Sequence, residues 1–449
     1  MNLLKAKITK YKLKKEVAAV TRFLLLGLGK SNMAVANDLL QNSTEFDVFL
    51  EKGEAPESLL SNKVKVYSLI NELPLNNYNY VIKSPGIPFS HPVVAKCKES
   101  GLNITNEIGY SLRYKARPLV AITGTNGKTT STSLVEHILN QKEERAKAVG
   151  NIGNSFLEEA KKQEKLLITE LSSFQLRDLH TFNPDVSIWL NIFSAHLDYH
   201  KTFEDYLNSK QNVFINQSPD HLFIFNEDDA NIRQASELKK GKKKSFSLKN
   251  KSANAYFDGE YLWVEGECWI HKNELGIKGV HNIQNAMASV LASLEYATKE
   301  EVISGLKSFN GVEHRLEKVI DEASLKIYND SKSTNTTAVK AALSAFEEPV
   351  VLMMGGLDRG NGYEDLINEW KKVKSVICFG QSGPKIYKDA KDHTEAILED
   401  DLDKAIEIAK NKVASGGILL FSPGCASWDR FSSFEERGKY FKEKFISFK

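Results

Sequence analysis

From Phe23 onward, short apolar runs alternate with turns rich in Gly, Ser or Asn and then with stretches of helical period, the pattern of layered α/β structure. Phe23 to Leu26 reads as a strand and Gly27 to Gly29 as a tight turn, with Met33, Ala36 and Leu40 recurring at helical spacing behind it. Asp47 to Leu50 and Tyr80 to Ile82 supply further strands, and the polar stretch Asn103 to Asn106 marks a first boundary. A second unit opens with the strand Leu119 to Ile122, which runs into a glycine-rich turn and a helix through Leu139. Buried-type strands follow at Leu166 to Thr169, Val186 to Leu190 and Leu222 to Phe225. Each ends in polar residues, where open α/β sheets carry their functional groups. Between Ala255 and Ile270 the alternation changes, and Asp258-Gly259 predicts a hairpin turn and a small antiparallel addition. The Lys run from Lys239 to Lys244 reads as an exposed loop. A third unit starts near His314, with strands at Lys326 to Tyr328, Val350 to Met353, Val376 to Phe379 and Ile418 to Phe421. Helices such as Ala338 to Phe346 and Leu402 to Val413 separate them. The expected architecture is three α/β domains in series, over residues 1–106, 107–313 and 314–449.

Composition narrows the function classes. The chain has 449 residues, which at roughly 150 per domain agrees with about three domains. Sixty Lys and Arg against 58 Asp and Glu leave a formal charge of +2, so the surface has no global basic field and no nucleic-acid partner is expected. No apolar run approaches the ~20 residues of a membrane helix, since the best, Val17 to Gly29, is broken by Thr21 and Arg22; no membrane insertion is expected. The Lys-rich start, residues 1–21, lacks the apolar core and cleavage site of a secretory signal and reads as a solvated extension. Cys97, Cys268, Cys378 and Cys425 are scattered without CxxC spacing, which argues against zinc or disulfides and suits a reducing cytoplasm.

The strongest local signal is Gly124-Thr125-Asn126-Gly127-Lys128-Thr129-Thr130, between a strand and a helix, where backbone N–H groups and a helix N-terminus can cradle phosphate. Lys128 would meet the β/γ-phosphates of a nucleotide and Thr129 a Mg²⁺. The spacing is GxxGKT, not the full GxxxxGK[ST], because Ile122 stands five residues before Gly127; the competing view is a turn that caps a helix. Glu170 arrives at the end of a neighbouring strand, as an acid holding the metal of ATP must, although a helix cap looks the same. His196 and Lys210, 14 residues later, carry no special sign of their own. Asp330 to Asn335 is either a capped helix start or, with its added Asp and Lys, a ribose or carboxylate contact. Gly355 to Gly362 reads as a flexible ligand loop or an ordinary turn.

The segments GTNGKTT, ELSSFQL, HLDYH followed by Lys210, HNIQNA, HRLE, NDSKSTN and SPGCASWDRF occur in one order, and together they resemble the Mur ligase family from about Arg22 to the end. The resemblance implies a Rossmann-like N-terminal domain that binds a UDP substrate, a central P-loop ATPase domain and a Rossmann-like C-terminal domain that binds an amino acid. It implies ATP-dependent amide formation through an acyl phosphate, with two Mg²⁺ ions. ELSSFQL and the SPG at Ser84 to Gly86 point, within the family, to the addition of D-glutamate to UDP-N-acetylmuramoyl-L-alanine by a cytoplasmic monomer. Residue by residue, the UDP substrate falls to Gly29, Ser31, Glu51, Lys52, Ser84, Gly86 and Asn151, and ATP to Gly124 through Thr130 with Asn285, Arg315 and Asp330. D-Glutamate falls to Lys332, Thr334, Ser427 and Phe434, with Arg359 and Asp358 as weaker matches in a GGLDRGNG loop that departs from the shorter GGDGK form. Thr129, Glu170, His196 and Lys210 would hold metal, Lys210 as a carbamate, whose hard oxygens suit Mg²⁺ where an amine does not. Competing readings are a sister ligase with another amino acid and a P-loop switch that hydrolyses ATP without ligation. A dinucleotide-binding dehydrogenase, read from Gly27-Leu28-Gly29 and Glu51, lacks its third glycine at Asn32.

Overall fold

In the computed structural model the described residues are 22–445, apart from 63, 115–117, 153, 154, 278, 323, 359, 361 and 415. The basic extension 1–21 and Arg359 therefore lie outside the described residues. The chain forms two compact units, Met1–Phe309 and Asn310–Lys449.

The first unit contains two sheets. One has the order β3-β2-β1-β4-β5 and is parallel throughout, with β1 Phe23–Leu26, β2 Phe46–Phe49, β3 Val66–Tyr67, β4 Tyr80–Lys83 and β5 Asn103–Thr105. Alternate residues of β1 feed opposite faces: Phe23 and Leu25 join Val35 and Leu39 of the helix Lys30–Gln41, while Leu24 and Leu26 join Val81, Val93 and Val94. A strand covered on both faces reads as the unbroken apolar run FLLL. The polar stretch taken as a boundary is β5 itself, with Asn106 capping the helix Glu107–Ser111. That helix gives Tyr110 to the first core and Ile108 to the next, so packing is continuous across 106/107.

The second sheet has the order β14-β13-β12-β11-β10-β9-β6-β8-β7. Its strands are β6 Leu119–Thr123, β7 Ala146–Gly150, β8 Leu166–Glu170, β9 Val186–Trp189, β10 Leu222–Asn226, β11 Lys243–Ser247, β12 Ala255–Phe257, β13 Tyr261–Val264 and β14 Glu267–His271. β6 through β12 pair in parallel, and the hairpin at Asp258-Gly259 supplies the expected antiparallel addition. β6 sits between β8 and β9, where the strand order reverses, the position at which open α/β sheets bind ligands beyond their carboxyl ends. The Lys run is not a loop throughout. Lys243 and Lys244 lie on β11, and Lys239 is buried, its ammonium donating to the carbonyls of Ser218 and Lys240.

The second unit carries one sheet, β15-β16-β20-β17-β18-β19, with β15 Glu317–Asp321, β16 Leu325–Asn329, β17 Val350–Gly355, β18 Val373–Phe379, β19 Glu395–Leu398 and β20 Gly417–Phe421. Only β15 runs antiparallel. Helix Leu402–Val413 packs its Leu402, Ala405, Ile406 and Ala409 on one face of this sheet, matching the predicted apolar period. Among the described residues no helix is long and apolar enough to cross a membrane. All four cysteines are free.

Candidate functional site

The glycine-rich segment lies between β6 and the helix Lys128–Leu139. Gly127 precedes that helix with φ +81°, and a Cβ there would stand 2.3 Å from Asn285 Oδ1, so both conformation and space demand glycine. The predicted loop and Asn285, on the helix Val280–Ser293, are thereby brought together. Lys128 Nζ donates to the carbonyls of Gly124 (2.8 Å) and Thr125 (2.7 Å). Thr129 and Thr130 are buried in the first helical turn.

Two residues without a predicted role hold this loop. Asn191, just beyond β9, accepts from the Asn126 N–H through Oδ1 (2.9 Å) and donates back to the Asn126 carbonyl (3.2 Å), while its own carbonyl accepts from the Thr125 N–H (3.0 Å). Tyr206 OH lies 3.0 Å from Thr125 Oγ1. Neither is marked by a local pattern in the sequence; each acts across the strand ends.

Glu170 ends β8 and is almost fully buried. Its Oε1 accepts from Asn151 Nδ2 (3.1 Å), and its Oε2 has no hydrogen-bond partner. Asn151 thus meets the acid itself, and its N–H also bonds the Glu170 carbonyl at 3.0 Å. A buried carboxylate oxygen left without a donor is costly, and a hard divalent cation is a partner suited to it. Lys210, on the helix Phe203–Gln211, is 1 % exposed and donates to the Gly124 carbonyl (2.8 Å) and Thr123 Oγ1 (3.3 Å). Two ammonium groups, those of Lys128 and Lys210, therefore share one carbonyl oxygen. Burial holds Lys210 well below the ordinary lysine range; Lys128 adds to the effect and Glu170 opposes it. His196 is exposed with φ +56°, its ring packed on Phe174 (5.1 Å) and Tyr206 (6.1 Å). The Lys210 ammonium lies 4.9 Å from the same Tyr206 ring.

On the first sheet, the turn after β1 faces the turn after β4. A Cβ on Gly27, at φ +77°, would lie 3.2 Å from Ser84 Oγ, which is buried without a partner. Gly29 precedes the helix that carries Ser31, and Gly86 is exposed on the facing turn. Glu51 pairs with His91 at 3.3 Å, and Lys52 is exposed. Asn32, in the place of the missing third glycine, is fully buried and donates to the carbonyls of Leu26, Gly27 and Ile82. A side chain fills the gap where a dinucleotide fingerprint brings helix and strand into close backbone contact.

In the second unit Asp330 directly follows β16, beside the HRL turn, and its Oδ1 accepts from the Leu316 N–H (3.1 Å). Ser333 and Ser422 donate to Oδ2 at 2.5 and 2.7 Å. Burial raises its pKa to about 6; these hydrogen bonds and the neighbouring Arg315 oppose the rise. Lys332 Nζ lies 5.4 Å from the Phe434 ring, and Ser331 Oγ donates to the Phe434 carbonyl, so two predicted amino-acid contacts meet; Thr334 is half-buried on the same segment. Ser427 is buried, with its carbonyl accepting from Arg430 and Phe431. Asp358 is engaged by Lys385 at 2.6 Å. Glu313, His314 and Glu317 cluster closely enough to ligate a metal, but Lys442 already bridges both carboxylates.

The sequence matches two family models, the Mur ligase middle domain over residues 122–293 and the Mur ligase glutamate ligase domain over residues 314–425. The chain belongs to the Mur ligase family. It is 42% identical over 376 residues to the UDP-N-acetylmuramoylalanine--D-glutamate ligase of Bacillus mycoides (strain KBAB4), covering 82% of this chain and 84% of that one. A ligase of the same name from Bacillus cereus (strain ATCC 14579) is 39% identical over 431 residues, 93% and 96% of the two chains. Among solved structures, the UDP-N-acetylmuramate-alanine ligase MurC of Thermotoga maritima aligns with TM-score 0.59 at 20% identity, over 95% of this chain and all of that one. MurF of Acinetobacter baumannii aligns with TM-score 0.59 at 17% identity, over 98% of each chain. At such identities the structures speak to the fold, which is the three-domain α/β arrangement of these ligases.

Proposed function

We propose that the chain is an ATP-dependent ligase that joins D-glutamate to the L-alanine carboxylate of UDP-N-acetylmuramoyl-L-alanine, with ADP and phosphate as co-products, in cytoplasmic peptidoglycan precursor synthesis. The observation that carries this reading is the 39% identity, across 93% of the chain, to a ligase named for that reaction. The glycine loop with its buried acid and lysine supports it.

A carboxylate is a poor acyl donor. One oxygen of the L-alanine carboxylate attacks the γ-phosphorus of ATP, the bond to the β,γ-bridging oxygen breaks, and acyl phosphate and ADP form. The deprotonated amine of D-glutamate then attacks the acyl carbon, and phosphate leaves as the amide forms. Preorganised charge is the main lever in such transfers. Here the N–H groups of the Gly124–Thr130 loop and the N-terminus of the helix Lys128–Leu139 face the phosphates, and Lys128 neutralises the transferring group. Thr129, Glu170, His196 and Lys210 are assigned to Mg²⁺, which when bound offsets phosphate charge. Asn285, Arg315 and Asp330 are assigned to ATP. Gly29, Ser31, Glu51, Lys52, Ser84, Gly86 and Asn151 are assigned to the UDP substrate, and Lys332, Thr334, Ser427 and Phe434, with Arg359, to D-glutamate.

The lowered pKa of Lys210 supports its carbamylation. A neutral amine adds to CO₂ and releases one proton, giving an N-carboxylate whose single negative charge is shared by two oxygens. Burial that disfavours the ammonium favours this reaction, and the Lys128 cation would face the new anion instead of a second cation.

The reaction is tested by supplying UDP-N-acetylmuramoyl-L-alanine labelled with ¹⁸O in its carboxylate, together with ATP, Mg²⁺ and D-glutamate. One ¹⁸O in the released phosphate for each amide formed is expected. Amide formation with unlabelled phosphate would overturn the acyl-phosphate route, and absence of amide would overturn the function.

A further inference from the structure

Strand β4 ends in Lys83, whose side chain is fully buried. Its ammonium lies 3.1 Å from Asp178 Oδ2, and Asp178 is fully buried too. The same ammonium donates to the carbonyls of Ile87 (2.9 Å) and Ser84 (3.3 Å), the two ends of the turn that presents Ser84 Oγ, and to Tyr199 OH (3.5 Å). Tyr199 OH in turn donates to the Ile87 carbonyl at 3.4 Å. The Tyr199 ring packs 4.4 Å from Phe174, and Phe174 packs on His196. Asp178 follows the helix Ser173–Leu176, which starts just after Glu170, and apart from Lys83 neither of its oxygens has a hydrogen-bond partner. One buried cation therefore touches the Ser84–Ile87 turn, the segment behind Glu170 and the segment behind His196.

A buried ion pair is poor evidence of stabilisation, because desolvation offsets most of its attraction and an apolar pair of similar size often replaces it without loss. What an apolar pair cannot do is donate to two carbonyls of a substrate-facing turn. We infer that Lys83 and Asp178 are positioning residues for the proposed ligation: Lys83 fixes the Ser84–Ile87 turn in register with the loops bearing Glu170 and His196, and Asp178 holds Lys83 in place. This role rests on the reading of the chain as a ligase with its nucleotide substrate at Ser84. The loop at Gly124–Thr130 is held separately by Asn191, so the pair acts chiefly on the turn at Ser84 and much less on ATP.

The test compares wild type with Lys83→Met, the double variant Lys83→Met/Asp178→Leu, and Asp178→Asn, in steady-state kinetics with UDP-N-acetylmuramoyl-L-alanine, ATP and D-glutamate. The double variant is expected to unfold near the wild-type temperature, with the KM for the nucleotide substrate raised about tenfold, as the loss of one to two hydrogen bonds implies, and the KM for ATP within about twofold. Asp178→Asn keeps the shape of the site and the Lys83 donors, and answers the question where the apolar variants fail to fold; its nucleotide KM is expected to rise with kcat largely retained. A folded variant whose nucleotide KM stays at the wild-type value, or whose ATP KM rises equally, overturns the positioning role. Wild-type protein that forms no amide overturns the ligase reading itself, and the positioning role falls with it; the two failures are thus distinguishable.

Discussion

The sharpest consequence of the loop geometry concerns Asn191, whose side chain ties Asn126 of the glycine-rich loop to the end of β9, beside the bonds that Thr125 makes to Asn191 and Phe193. Asn191→Ala deletes two hydrogen bonds, of 2.9 and 3.2 Å, and leaves the backbone bond from the Thr125 N–H intact. At about 1 kcal/mol net for each neutral bond, the bound loop loses about 2 kcal/mol of preorganisation, or roughly a 30-fold rise in the KM for ATP. Asn191→Asp keeps the acceptor for the Asn126 N–H but removes the donor, and is expected to fall between. The assay is phosphate release at saturating UDP substrate and D-glutamate with ATP varied, and thermal unfolding checks the fold. Asn191 is only partly buried, so the unfolding temperature is expected to move little. A folded Asn191→Ala protein whose ATP KM lies within about twofold of wild type would refute the idea that these two bonds organise the loop.

Other expectations follow from the same geometry. Lys210→Ala is expected to lower kcat by on the order of 10²–10³ and to be partly restored by millimolar formate or acetate, which can stand in for a carbamate; a folded variant that no short carboxylate restores would count against carbamylation. For Gly127→Ala, the left-handed backbone costs about 1–2 kcal/mol, and the new methyl meets Asn285, so weaker ATP binding in a folded protein is expected by calorimetry; unchanged affinity would refute it. For Asp330, the rise from 3.8 to about 6 is worth about 3 kcal/mol, a contribution present below pH 4 and lost as pH rises through about 6. Asp330→Asn lacks that titration, so its unfolding free energy relative to wild type is expected to climb by about 2 kcal/mol between pH 4 and pH 7 in urea titrations; a pH-independent difference would contradict the buried, weakly compensated carboxyl.

Strands covered on both faces were legible because burial writes itself as an unbroken apolar run, as in β1, β6 and β10. Edge strands were not. β7 reads AKAVG, interrupted by Lys147, which reaches Glu136 at 3.8 Å, and β15 reads EKVID at the antiparallel margin of its sheet. The glycine-rich loop was legible as a strand-to-helix turn because glycine, lysine and hydroxyl residues fall together there. Its supports were not, since Asn191 meets Asn126 across 65 positions and Tyr206 meets Thr125 across 81. Lys83 was hidden for the same reason: at the end of an apolar strand a lysine signals a solvent-facing terminus, and only the fold brings Asp178 to it. The same holds for Lys239, whose charged neighbours masked a buried ammonium satisfied by carbonyls.

Substrate assignment is tested most directly by phosphate release from the purified protein with ATP, Mg²⁺ and UDP-N-acetylmuramoyl-L-alanine, compared across D-glutamate, L-glutamate and no amino acid. Release coupled to a new amide is expected with D-glutamate alone. Release that ignores the amino acid, or that follows a different one, would contradict the assignment of this chain as a D-glutamate-adding ligase.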